Sequence, residues 1–127
     1  MVSLAETNIG DKGLEWLFLG MYDTSALQKL DLSNNHIGCC GLYYMSEAVR
    51  HNRFVPKRLI LRNNKIKCRG ALRMTDAFLE VGHNFYRTKS LPLRELDLVN
   101  NWIGTQGAQA LNVLVNRSLL LIKLDVS

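Results

Sequence analysis

A twelve-residue pattern that recurs along the chain constrains its fold more than any other feature. Three full copies run from Leu30 to Gly41, from Leu59 to Gly70 and from Leu96 to Gly107, each as Leu-x-Leu-x-Asn-Asn-x-Ile-x-x-x-Gly. A copy from Val2 to Gly13 keeps this frame but has Thr7 at the second asparagine position. A fifth copy begins near the end of the chain, and the successive copies are spaced 28, 29, 37 and 28 residues apart. Spacing of this kind is typical of a stacked repeat architecture.

Each copy contains two different periods. Leu30 and Leu32 alternate with Lys29 and Asp31, which predicts a short strand with the leucines facing inward. After the last glycine of the pattern, apolar residues recur at helical spacing. Each repeat is therefore predicted to be strand, turn, helix and return loop, and stacked repeats must share one core. The predicted strands lie near residues 2–4, 29–32, 58–61, 95–98 and 123–126, and the helices near 12–20, 40–52, 70–82 and 106–117.

The second asparagine of each pair lies where the chain leaves the strand. A buried amide at this point can bond backbone groups of its own turn and of the adjacent repeat. We therefore predict that Asn35, Asn64 and Asn101 form a structural ladder. Thr7 has no amide, which puts the ladder in doubt in the first repeat.

This pattern resembles the leucine-rich repeat family, and in particular its ribonuclease-inhibitor-like subclass. The residues that carry the resemblance in one repeat are Leu27, Leu30, Leu32, Asn35, Ile37 and Gly41, and their counterparts recur in the next two. The resemblance implies an α/β solenoid, a horseshoe segment with parallel strands on its concave face and helices on its convex face. It also implies a single domain over residues 1–127, with about four and a half repeats from a longer array.

No motif in the sequence indicates catalysis. The chain has no nucleophile, metalloprotease or phosphate-binding motif, so we predict no enzyme activity, no catalytic residue, no metal and no cofactor. The three cysteines, Cys39, Cys40 and Cys68, lack a CxxC spacing or a histidine cluster and are interpreted as free thiols, although a Cys39–Cys68 contact on oxidation stays open. Asp11 and Thr105, at the repeat position of Cys39 and Cys68, are predicted helix N-caps.

Positive charge is concentrated in the middle of the chain. The net charge is +5, and nine basic residues lie between Arg50 and Arg73 with no Asp or Glu among them. Because one repeat wraps the whole cross-section of a solenoid, this segment predicts a basic belt. The belt is either a solvated surface or a contact for a partner with an acidic surface. Nucleic acid is disfavoured, because no aromatic residues alternate with the cations.

Outward-facing strand positions and one rim loop are the predicted contact surface. The predicted protein-binding residues are Asp31, Arg58, Ile60, Arg62, Asp97, Val99, Trp102 and Asp125. Trp102 is a candidate anchor, since tryptophan is enriched among residues that dominate binding energy. The longer third repeat places extra residues within Glu80–Pro92, and Phe85 and Tyr86 in this insertion loop are further candidates.

Protein binding is the function that these features favour. The chain is interpreted as an interaction scaffold or regulatory module that uses the concave sheet and rim loops. The alternative is a regulator similar to the Ran GTPase-activating branch of the family, or to its actin or phosphatase regulators. For the first of these, Arg62 and Asn63 match only by topology. The sequence shows no secretion signal and no apolar run of membrane-spanning length, which predicts no membrane contact and a cytoplasmic location, with the nucleus left open.

The apolar final segment generates the first testable prediction. The run from Leu119 to Ile122, together with Leu124, is too apolar for a solvent-facing tail, and an uncovered strand edge favours association. We expect further repeats, or else a neighbouring chain, to cover this end. Light scattering over a concentration series should show association of the 127-residue chain that an added repeat suppresses. A stable monomer with an ordered segment from Leu121 to Val126 would contradict this expectation.

Overall fold

Strands and helices alternate along the whole described chain. The computed structural model describes residues 2–21, 27–51, 53–54, 56–84, 93–117 and 121–123. The five strands in these ranges are β1 (Val2–Ser3), β2 (Lys29–Asp31), β3 (Arg58–Ile60), β4 (Glu95–Asp97) and β5 (Leu121–Lys123). The four α-helices are α1 (Gly10–Trp16), α2 (Cys39–Arg50), α3 (Cys68–Asn84) and α4 (Gly104–Arg117). A π-helical turn, Leu17–Met21, directly follows α1.

The strands form one parallel sheet in chain order. Leu30 of β2 lies opposite Leu59 of β3, which lies opposite Leu96 of β4. Hydrogen bonding continues past the strand ends, where Leu32 N–H donates to Ile60 O at 2.8 Å. Each helix packs against the next, so the helices form a second layer. The sheet and its alternation with helices confirm the predicted α/β solenoid.

One apolar core runs between the two layers. The strand leucines and the isoleucine after each turn are buried, as Leu30, Leu32 and Ile37 show in the second repeat. Phe18 and Phe54 close the core near the carboxyl ends of the first two helical segments, with ring centroids 4.9 Å apart. The period of two in the strands and the later helical period both direct apolar side chains into this core.

The first asparagine of each pair takes a left-handed backbone conformation. The φ angles are 59° at Asn34, 59° at Asn63 and 60° at Asn100. Asparagine tolerates this conformation better than other residues that have a Cβ. The two residues of the Asn-Asn pair therefore have different roles. The first adopts the backbone conformation that the turn requires, and the side chain of the second forms hydrogen bonds to backbone groups of the turns.

The amide of the second asparagine bonds two consecutive turns. Asn64 Oδ1 accepts from the backbone N–H groups of Asn35 and Ile37, each at 3.0 Å. Asn64 Nδ2 donates to Leu32 O of the preceding repeat and to Leu61 O of its own, each at 3.0 Å. One buried side chain thereby satisfies backbone groups of two repeats, which would otherwise be buried without partners.

The same contacts occur one repeat before and one repeat after Asn64. Asn35 Oδ1 accepts from Ile9 N–H at 3.1 Å, and its Nδ2 donates to Leu4 O at 2.7 Å. Asn101 Oδ1 accepts from Ile66 N–H at 3.1 Å. In every case the amide reaches toward the preceding repeat, so the series has a direction.

The first repeat keeps only part of this arrangement. Thr7 Oγ1 donates to Leu4 O at 2.7 Å, which is the bond within the turn that the amide of Asn64 makes to Leu61. The hydroxyl also lies 3.3 Å from Asn35 Oδ1. The shorter threonine side chain thus supports its own turn and meets the amide of the following repeat.

The helices begin one or two residues earlier than predicted, and the predicted N-caps are wrong. Asp11 and Thr105 are the second residues of α1 and α4, inside the helices. The Asp11 carboxylate instead accepts from Gly38 N–H of the next repeat at 2.8 Å. A Cβ on Gly41 would lie 2.5 Å from Asp11 Oδ1, so glycine at this position leaves space for the contact.

Two boundaries differ from the sequence prediction. Strand β5 is Leu121–Lys123 and not 123–126, and Ile122 lies opposite Leu96. A shift of two residues keeps the same side chains on the inner face. It also places Lys123 opposite Asp97. The predicted register would have placed Asp125 there, so that two negative charges would have faced each other. Leu124, Asp125 and Val126 lie outside the described residues.

Part of the predicted insertion loop is helical. Helix α3 continues to Asn84 and has 17 residues, compared with 12 in α2 and 14 in α4. The segment Glu80–Pro92 therefore starts as helix, and some of the extra residues of the third repeat lengthen α3. Phe85 and Tyr86 lie outside the described residues.

Replacing Asn64 with alanine should destabilise the fold. Asn64→Ala would remove the amide bonds and leave buried backbone groups without partners, at a cost of about 1–3 kcal/mol. Chemical denaturation would measure the loss. Asn34→Gly is a matched control, because Asn34 is exposed with a φ of 59° that glycine also adopts readily, and it should change the free energy of unfolding far less. Equal stabilities for the wild type and Asn64→Ala would contradict the role given to this amide.

Candidate functional site

Ion pairs link three strands across the concave face of the sheet. Arg58 Nε of β3 lies 2.6 Å from Glu95 Oε2 of β4, and Lys123 Nζ of β5 lies 3.0 Å from Glu95 Oε1. One carboxylate therefore holds cations from both neighbouring strands.

A second ion pair, between Arg62 and Asp97, lies on the concave face of the sheet. Arg62 Nε donates to Asp97 Oδ2 at 3.1 Å, while Asp97 Oδ1 accepts from Val99 N–H at 3.1 Å. Asp97 is only 5% exposed, which differs from the exposed position expected of a partner contact. Arg62 is exposed, but its guanidinium is already paired. The arginine that matched the GTPase-activating branch by topology is therefore engaged within its own sheet.

The aspartate of the second repeat also supports the chain where it leaves the strand. Asp31 Oδ1 accepts from Ser33 Oγ at 2.7 Å and from Ser33 N–H at 3.0 Å. Asp31 is half-buried and Ser33 is buried. Asp31 and Asp97 therefore both bond the backbone two residues later, which is a local Asx-type turn.

Glu95 has a lowered pKa because of these cations. The hydrogen bond from Lys123 is the largest cause, partial burial opposes it, and the charge of Arg58 lowers the pKa further. The three side chains are 20% (Glu95), 39% (Arg58) and 43% (Lys123) exposed. Solvent screens pairs of this kind, so their contribution to stability is modest.

The other predicted contact residues lie in different environments. Ile60 and Val99 are half-buried, and Ile60 lies opposite Asp31 and Asp97 of the two neighbouring strands. Trp102, in contrast, is 55% exposed. Asp125, Phe85 and Tyr86 lie outside the described residues, so the structure places only part of the predicted surface.

Trp102 is held on the rim at the carboxyl edge of the sheet. Its backbone N–H donates to Ile66 O at 2.8 Å, and it forms a parallel bridge with Lys67. Lys67 Nζ lies 5.7 Å from the centroid of the indole ring, within range of a cation–π contact. The backbone of this rim loop is therefore ordered although the indole is exposed.

Carboxylates from several repeats neutralise part of the basic belt. Arg50 contacts Glu47 at 2.8 Å and Glu80 at 3.1 Å, while Arg58 and Arg62 contact the acidic residues of β4. The charge pattern of the basic segment did not indicate this pairing, because all of these acidic partners lie outside the segment. The belt is therefore less uniformly positive than its composition suggested.

Four cations of the belt gather at one end of α3. Lys65 and Lys67 lie in the loop before the helix, and Arg69 and Arg73 lie in its first two turns. None of the four forms an ion pair with a carboxylate in the described part of the chain. Trp102 lies beside Lys67, so an exposed aromatic ring adjoins this basic cluster. Both features are present in the sequence, but their proximity arises only when consecutive repeats stack.

Neither a metal site nor a membrane span emerges from the ranges that the structure covers. No group of three or more His, Cys, Asp or Glu side chains there could hold a metal ion. Within the same ranges, no helix combines the length and the apolar character needed to cross a bilayer.

Comparison with known proteins agrees with the observed repeats. Two leucine-rich repeat family models match the chain, one at residues 26–45 and the other at residues 89–111. The chain belongs to the leucine-rich repeat family. Residues 26–45 contain β2, its turn and the start of α2, and residues 89–111 contain the same elements two repeats later. A full helix in each of these repeats is compatible with the ribonuclease-inhibitor-like subclass, which stays a prediction.

A curated relative gives the size of the region that the chain matches. The chain is 30% identical over 110 residues to NACHT, LRR and PYD domains-containing protein 14 from Homo sapiens. This match covers 87% of the chain and 9% of the human protein. The chain thus spans about a tenth of the length of this relative.

Glu95→Gln should lower stability in a pH-dependent way. Because the pKa of Glu95 is lowered in the folded protein, its contribution is complete above the unfolded-state pKa and is lost as the pH falls through the folded pKa. At pH 7 we expect a loss of about 0.5–1 kcal/mol, given the exposure of the cations. The difference from wild type should shrink as the pH falls below the ordinary value of 4.5. Denaturation curves at several pH values would measure both effects.

Glu80→Gln provides a control for this prediction. Glu80 also pairs with an arginine, but its side chain is 57% exposed, so a smaller loss is expected. A difference between Glu95→Gln and wild type that stays constant from neutral to acidic pH would contradict the proposed charge effect.

Proposed function

We propose that this chain is a protein-interaction module whose principal contact surface is the rim around Trp102. Leucine-rich repeat domains generally mediate protein–protein interactions, and membership of this family supports the proposal. The proposed binding does not require catalysis. By its name, the human relative combines its leucine-rich repeat region with NACHT and PYD domains, and we infer a recognition role for the present chain.

The exposed indole of Trp102 is the observation that carries the proposal. A tryptophan that is 55% exposed in an ordered loop offers a large apolar contact, and little backbone ordering is needed when it binds. Lys67 beside the ring adds a charged group at the edge of the same contact. Together they suit a partner with an apolar pocket bordered by acidic groups.

The concave face supports a secondary role in this proposal. Its charges are largely paired with one another, as in the Arg58–Glu95 and Arg62–Asp97 contacts. A partner that contacted these groups would first have to compete with the existing ion pairs. We therefore assign the concave face to orientation and specificity, and the rim to most of the binding energy.

Replacing Trp102 with alanine tests the proposal. Partners captured by the immobilised chain from a lysate of its native cells should be quantified by mass spectrometry for wild type and for Trp102→Ala. Partners of the rim should be depleted about tenfold or more by the substitution, as expected for a tryptophan anchor. Binding of each depleted partner should then be measured with purified proteins.

Trp16→Ala is the matched control. Trp16 on α1 is 59% exposed, so its removal deletes a similar area of exposed indole from a different surface. Thermal unfolding of both variants should show that the fold is retained. If partners are lost with Trp16→Ala but kept with Trp102→Ala, the contact surface includes α1 rather than the rim around Trp102. Purified partners that bind both variants as tightly as wild type would contradict the proposal.

A further inference from the structure

A groove lies on the helical layer between α2 and α3. It is open to solvent, has a volume of about 300 Å³ and is lined by Cys39, Cys40, Tyr43, Tyr44, Arg69 and Arg73. All six residues belong to the first two turns of their helices. The groove is separate from the concave sheet, and its lining contains no residue of the predicted contact surface.

Two arginines give the groove a positive charge. Arg69 and Arg73 are four residues apart on α3, and neither forms an ion pair with a carboxylate among the described residues. The Arg73 guanidinium lies 5.0 Å from the centroid of the Tyr43 ring, which positions the guanidinium without neutralising it. The partial positive charges at the amino-terminal ends of both helices add to this field.

The tyrosines provide apolar surface to the groove. Tyr43 and Tyr44 pack edge to face, with ring centroids 5.5 Å apart. Burial, followed by the nearby charge of Glu15, raises the pKa of the Tyr44 hydroxyl, and a hydrogen bond to the Glu15 carboxylate contributes to the same shift. Glu15 is itself 3.6 Å from Lys12, so its negative charge is partly balanced. The described residues that line the groove include no carboxylate.

We infer that this groove binds an anionic side chain, either a carboxylate or a phosphorylated residue, of a protein partner. Arginine guanidinium groups bind both kinds of oxyanion through paired N–H donors. The inference rests on the proposed protein-binding function and adds a second contact of defined chemistry. A volume of about 300 Å³ is at the lower end of ligand sites and accommodates one or two side chains.

The aromatic rings argue for a side chain rather than for nucleic acid. Stacking of bases requires open aromatic faces next to a basic track. Here Arg73 covers a face of Tyr43, and Lys67 covers a face of Trp102 on the neighbouring rim. Both cation–aromatic pairs are arranged to hold the cation in place, which suits recognition of a single anion.

Titration with small anions tests the inference without a protein partner. Phosphoserine and N-acetylglutamate are the two probes, and side-chain NMR signals of Arg69, Arg73 and Tyr43 report binding. We expect saturable shifts at these residues with at least one probe. Preference for phosphoserine would indicate a phosphorylated partner, and equal or stronger binding of N-acetylglutamate would indicate a carboxylate. Alkylation of the exposed Cys40 thiol should slow when the probe is bound, while Cys68, outside the groove lining, serves as an internal reference.

Charge variants separate a specific site from general attraction. Arg69→Gln/Arg73→Gln should weaken probe binding about tenfold, because the paired donors are lost. Arg69→Lys/Arg73→Lys keeps the charge and should restore only part of the affinity. Lys29→Gln/Lys57→Gln removes the same charge from exposed positions at the sheet and should change the affinity less than about twofold.

Several outcomes would overturn the inference. The first is an absence of NMR shifts at the groove residues of the wild type. The second is an equal loss of probe affinity in Arg69→Gln/Arg73→Gln and in Lys29→Gln/Lys57→Gln. The third is tighter binding at the groove by an oligouridylate, added as a nucleic-acid probe, than by either small anion. Because the probes report on the groove alone, failure here would leave the Trp102 result unaffected. Conversely, a Trp102→Ala variant that keeps its partners would not change the anion titration.

Discussion

In each turn from Asn35 to Asn101, one amide side chain bonds the backbone of two consecutive repeats. The rest of the fold depends on this interaction because the strands themselves are very short. No strand in the described chain exceeds three residues, so backbone pairing alone joins neighbouring repeats through few hydrogen bonds. The amides extend that pairing into the turns, where β-ladder bonds end. Each amide also accepts from the backbone N–H of the isoleucine in the preceding repeat, which holds that core residue in position.

Charge acts between repeats in a similar way. Glu95 contacts cations from the strands on both sides, and Asp97 contacts Arg62 of the preceding repeat. These contacts use the charges of the concave face within the protein itself. The cations at the start of α3 have no such carboxylate partner among the described residues. The surface that is available for an acidic partner is therefore the rim and the helical layer. Composition alone would have suggested that the entire basic belt was available.

The sequence predicted the strand, turn and helix order because each depends on periodicity within one repeat. Leu30, Leu32 and Ile37 face the core as their spacing indicates. Contacts between repeats were harder to predict. Asp11 was expected to cap its own helix, yet it bonds Gly38 of the next repeat, and no local pattern distinguishes these two choices. The register of β5 was also missed, since a shift of two residues preserves the alternation of inward and outward positions, and cross-strand charge distinguishes the two registers.

The candidate site was predictable to a lesser extent, for the same reason. Trp102 could be placed on a rim from its position in the repeat, and its exposure agrees with that placement. Its neighbour Lys67 comes from the preceding repeat, 35 residues earlier in the chain. The groove between α2 and α3 likewise exists only once two helices pack together. Contacts and grooves formed by residues of two repeats cannot be predicted from the sequence pattern of a single repeat.

The direction of the asparagine series has a consequence for synthesis on the ribosome. Each amide completes the turn of the repeat before it, so a turn has its full set of bonds only after the following asparagine has been made. The bonded groups are 26 to 35 residues apart in the chain. Folding that follows translation is therefore always about one repeat behind the growing chain. A nascent chain paused at any point would expose one unfinished turn, and the location of that turn would move forward with each repeat added.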